Sequence, residues 1–179
     1  MYINLNKIKE SGYYGVAIIV ATISVCIGLL YFSLHNPSKD LHARIFEIAA
    51  KVNNYYREKP NYWKLTTQTA DEDNLIGEIR SDYAEYDFSI GQGVNGDGGL
   101  PSDITFDIAL KNLGKSACIA LSEFELSEQQ SLSLLKISII TEEKVTEFSW
   151  GGENKLPIRK YDARNICAGN RNTIVWTFQ

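Results

Sequence analysis

His35 and His42 are the only imidazoles in the chain, and a gap of seven residues puts them on roughly one face of a helix. Two imidazoles can begin a zinc site, but two ligands are too few without distant help. Interfacial and surface histidines are therefore the expectation, with no metal. Gly91-Gln92-Gly93-Val94-Asn95-Gly96 fits the G-x-G-x-x-G pattern. That pattern cradles a pyrophosphate only between a strand and a helix N-terminus. Gly98, Gly99 and Pro101 follow, which start no helix, so no nucleotide is expected. Asn95, Asp97, Asp103 and Asp107 offer oxygen ligands around the same stretch. Calcium takes about six to eight oxygens, and the EF-hand spacing is absent, so this reads as a solvated loop. No G-x-S-x-G occurs, and no histidine follows His42 to serve a hydrolase triad. The expectation is a chain that is not an enzyme and holds no cofactor. Arg159, Lys160, Tyr161 and Arg164 form a basic cluster near Cys167. It could meet an acidic partner, but a solvated helix face is the simpler reading.

The formal net charge is -4, with 22% charged residues, so a broad surface for nucleic acid is not indicated. The apolar residues are concentrated. Ser11 to Leu34 contains no charge, and Gly15 to Leu34 includes eleven Val, Ile, Leu or Phe residues without a polar stripe. A helix of that length spans a hydrocarbon core of about 30 Å. Lys7 and Lys9 precede it, which places the N-terminus in the cytoplasm and the rest across the membrane. A cleaved secretory signal fits less well, because the apolar run is long and no A-x-A-like site follows Leu34.

Cys26 sits inside the apolar run, where it acts as a small hydrophobe. Cys118 and Cys167 remain as a pair, which would join in an oxidising compartment. The alternative is two unrelated thiols.

Beyond the apolar run, Leu41, Ile45, Ile48, Val52 and Tyr55 or Tyr56 recur at helical spacing, so an amphipathic helix continues to about Lys59-Pro60. A short helix is expected around Asp71 to Arg80, and a glycine-dense loop from Gly91 to Gly99. Tyr86–Ile90, Ile104–Leu110, Leu132–Ile140, Val145–Trp150 and Thr173–Phe178 read as strands. Thr141–Lys144 is the turn between the third and fourth. Leu113–Phe124 and Pro157–Ala168 read as helices carrying the two cysteines. The sum is an α+β domain. A long N-terminal helix, membrane half first, packs on an antiparallel or mixed β-sheet, with a disulfide-bounded region at the C-terminal end.

Asn6-Lys7-Ile8-Lys9-Glu10-Ser11-Gly12, then Tyr13 and the apolar helix, resembles a type IV prepilin leader. Asp107 to Leu121 around Cys118, and Asn165-Ile166-Cys167 with the closing strand Asn172–Phe178, resemble the corresponding segments of type IVb pilins of the bundle-forming kind. The resemblance implies a leader at 1–12, a helix at 13–35 that first anchors in the inner membrane and then packs in a filament, and a globular pilin domain at 36–179. It implies that prepilin peptidase cuts between Gly12 and Tyr13, after which Tyr13 is methylated. The partners it implies are other pilin subunits, the inner-membrane assembly machinery and, before assembly, membrane lipid.

One departure stands out. Most pilins carry a glutamate four residues after the cleavage point, and here that position is Ala17. In the family this is a feature of some minor subunits. The implied function is a minor pilin concerned with initiation, assembly or the tip, hence adhesion or aggregation. A type II secretion pseudopilin shares the architecture, and a signal-anchored periplasmic binding domain is the reading outside the family.

Overall fold

A computed structural model describes residues 24, 37–77, 86–95, 100–123 and 133–179. The expected leader at 1–12 and, apart from Ser24, the apolar segment at 13–35 lie outside the described residues, as do Gly12, Tyr13, Ala17 and His35. The chain divides into two compact units, Met1–Pro37 and Ser38–Gln179, and the second holds the sheet.

Helix α1 (Pro37–Tyr56) carries the amphipathic pattern read from the sequence. Leu41, Ile45, Ile48, Val52 and Tyr56 are buried, together with Phe46 and Ala49. Each such aliphatic side chain removed from water stabilises by roughly 1.5–3 kcal/mol. Glu47 and Lys51 pair across one turn on the solvent side at 2.9 Å. Of the two tyrosines, Tyr56 is the buried one, while Tyr55 lies beneath the Lys59 ammonium, 3.5 Å from the ring centroid.

The sheet comprises β1 (Asp87–Asn95), β2 (Leu100–Leu113), β3 (Leu134–Ile140), β4 (Val145–Ser149) and β5 (Asn172–Phe178). Its order is β1-β2-β5-β3-β4, and every pairing is antiparallel. One cross-strand row, Ile90–Ile108–Trp176–Ile137–Phe148, crosses all five strands and is buried throughout. The neighbouring row on the other face, Ser89–Ala109–Val175–Ser138–Glu147, is made of residues that are small or polar. This is the period of two expected of strands with one face packed.

An aromatic chain joins α1 to that packed face. Phe46 meets Phe178 edge-on at 5.5 Å, Phe178 stacks on Phe106 at 5.4 Å, and Tyr62 follows at 4.9 Å. The Tyr62 hydroxyl donates to Asn53 Oδ1 (2.7 Å), and Asn53 Nδ2 donates to the Gln179 carbonyl (3.1 Å).

The structure corrects four boundaries. The short helix expected over Asp71–Arg80 is α2 (Thr67–Glu72). A reciprocal cap starts it: Thr69 N–H donates to the Thr66 hydroxyl, and Thr66 N–H donates to that of Thr69. The expected loop at 91–99 is partly strand, because β1 continues to Asn95 and β2 begins at Leu100. Gly93 makes this possible, since any Cβ there would overlap Thr105 on the facing strand. The helix expected over 113–124 is α3 (Lys115–Ser122). The helix expected over 157–168 is α4 (Lys160–Ile166), with Pro157 upstream of it and Gly169 beyond it at φ +58°.

Candidate functional site

Cys118 lies within α3, and Cys167 is the first residue past α4. They form a disulfide with Cα atoms 5.9 Å apart. Both are buried, as is Ser122, whose hydroxyl donates to the Cys118 carbonyl (2.7 Å) and lies 3.9 Å from Cys167 Sγ. The link clips two short helices, neither long enough to be stable alone, into one region beside the sheet. The Asn172 side chain fastens that region to the sheet. Its Nδ2 donates to the Leu113 carbonyl (2.9 Å), and its Oδ1 accepts from Ala168 N–H (3.1 Å).

His42 is buried, not a surface residue as expected from the sequence. Its Nε2–H donates to the carbonyl of Leu121, in the last turn of α3. Carbonyls there have no partner within their own helix, so α1 supplies the missing donor. Burial lowers the His42 pKa, and the hydrogen bond to Leu121 opposes this in part. The imidazole is thus a tie between α1 and the disulfide-bounded region. Among the described residues no group of His, Cys, Asp and Glu is arranged to hold a metal.

The glycine motif at 91–96 joins strand to strand, which removes the geometry a pyrophosphate needs. Of the four acidic-loop residues, Asp107 accepts a hydrogen bond from the Thr177 hydroxyl (2.6 Å) within the sheet. Asp97 and the side chains of Asn95 and Asp103 lie outside the described residues.

The basic cluster divides. Lys160 pairs with Glu123 at the end of α3 (3.4 Å), which reinforces the clip. Tyr161 and Arg164 are exposed. Arg159 instead lines an open groove of about 600 Å³ between β4 and α4. Phe148, Leu156 and Ile166 are its buried apolar lining, and Lys155, Arg159, Glu153 and Asp162 supply charge. The sequence reading missed this groove because its lining comes from a strand, a loop and a helix. No local spacing marks such a set.

Both sheet edges are partly covered by the chain itself. Along β4, Ser149 N–H donates to the Asn154 carbonyl (3.0 Å), Leu156 N–H to the Ser149 carbonyl (3.2 Å) and Asn154 Nδ2 to the Glu147 carbonyl (3.0 Å). Along β1, Ile90 N–H donates to the Thr67 hydroxyl (3.0 Å), and Thr66 bridges to Gly91. Open edges invite pairing with other chains, and these contacts shorten the stretch left open.

No protein-family model matches the sequence, and neither does any curated protein. Among solved structures the chain is similar to TcpA, a type IV pilin from Vibrio cholerae El Tor biotype. The likeness covers 80% of this chain and 99% of TcpA, at a TM-score of 0.56 and 12% identity.

The fold is pilin-like.

At that identity the likeness is one of fold. The pilin-like domain here is α1 packed on one face of an antiparallel sheet, with the α3–α4 disulfide region beside it. Among the described residues no helix is long and apolar enough to cross a membrane, and the apolar segment at 13–35, apart from Ser24, lies outside them.

Proposed function

We propose that this chain is a structural subunit of a type IV pilus, made as a prepilin, and that it is a minor pilin. The observation that carries the reading is the pilin-like fold, whose match to TcpA leaves almost none of that pilin uncovered. The leader ending at Gly12 and the uncharged run that follows support it from the sequence.

In this reading prepilin peptidase cuts between Gly12 and Tyr13, and residues 13–35 anchor the subunit in the inner membrane with its C-terminal domain in the periplasm. The same helix then packs against the helices of other pilin subunits as the machinery extracts it. A uniformly apolar helix suits both states, since lipid and neighbouring apolar helices satisfy it alike. Cys118 and Cys167 join on the oxidising side of the membrane.

Ala17 supports the minor role. A carboxylate at that position must be paired within an apolar core, and an unpaired buried charge is costly. An alanine makes no such demand, so this subunit can occupy an end of the filament where one neighbour is missing.

Intact-mass analysis of the protein from its own host tests the reading. A mass beginning at Tyr13 with one added methyl group is expected. A mass beginning at Met1 would leave a signal-anchored extracytoplasmic domain instead. A correctly processed chain found along the whole shaft in stoichiometric amounts would remove the minor role alone.

A further inference from the structure

We draw no further inference here: the strongest candidate, the surface patch of exposed cations Lys115, Arg164 and Arg171 where α3, α4 and the start of β5 meet beside the disulfide, stands at the sheet end that also carries the exposed Glu142 and Glu143 of the β3–β4 turn, and nothing in the structure shows what covers it.

Discussion

Removing the Cys118–Cys167 link should cost the domain about 4 kcal/mol. The two cysteines are 49 residues apart in sequence. In the chain-entropy view, closing a loop of that size takes roughly 14 cal/mol/K from the unfolded ensemble, which gives this figure at room temperature. A domain of this kind has about 5–15 kcal/mol in total, so the link is a large share of the margin. The melting temperature should fall by roughly 10–15 °C. The perturbation has two forms: Cys118→Ala with Cys167→Ala, and the wild type in reductant. Alanines leave small voids at two buried sites, whereas reduction keeps both sulfur atoms. Agreement between the two therefore isolates the cross-link from packing. Urea unfolding followed by tryptophan fluorescence measures both, and the denaturant slope should rise because the uncrosslinked chain expands further. Both forms falling within about 1 kcal/mol of the oxidised protein would refute the argument.

Phe46→Ala should cost about 3–5 kcal/mol by removing the ring that bridges α1 to Phe178, measured by the same unfolding assay. His42 should make the domain acid-sensitive. Its folded pKa lies below the usual 6.5, so the unfolded chain takes up the proton first. Stability is then fully present above pH 6.5 and falls as pH drops below it, towards the lower folded value. A pH series from 8 to 5 should show that slope, and His42→Gln should flatten it. A slope unchanged in the variant would assign the effect elsewhere. Gly93→Ala should destabilise by about 1–3 kcal/mol, because the added methyl overlaps Thr105. A melting temperature equal to wild type would show that the strands can shift to accept it.

Elements whose signal is local were legible in the sequence. The α1 spacing at Leu41, Ile45, Ile48 and Val52, the β3–β4 hairpin around Thr141–Lys144, and the cysteine pair all stand in the structure as read. Elements that depend on distant partners were not. Glycines at 91 and 93 argue for a loop until Thr105 is known to face one of them. The α2 start was hidden because Thr69, rather than the usual Glu or Gln, closes the cap. His42 looked like a surface residue because nothing near it in sequence reveals Leu121, 79 residues away, as its acceptor. The groove shares this cause, with Phe148 and Ile166 brought together only by the fold.

Strand β5 is last in sequence and central in space, hydrogen-bonded to β2 on one side and β3 on the other. A chain synthesised from its N-terminus cannot close this sheet until residues 172–178 have been made. Until then the β1–β2 and β3–β4 hairpins are two halves with no shared neighbour. A product that stops before Asn172 lacks Trp176 and Phe178, and so never buries the apolar faces of either half. Closure of the sheet therefore reports that synthesis has passed Phe178, and shorter products stay open to proteolysis.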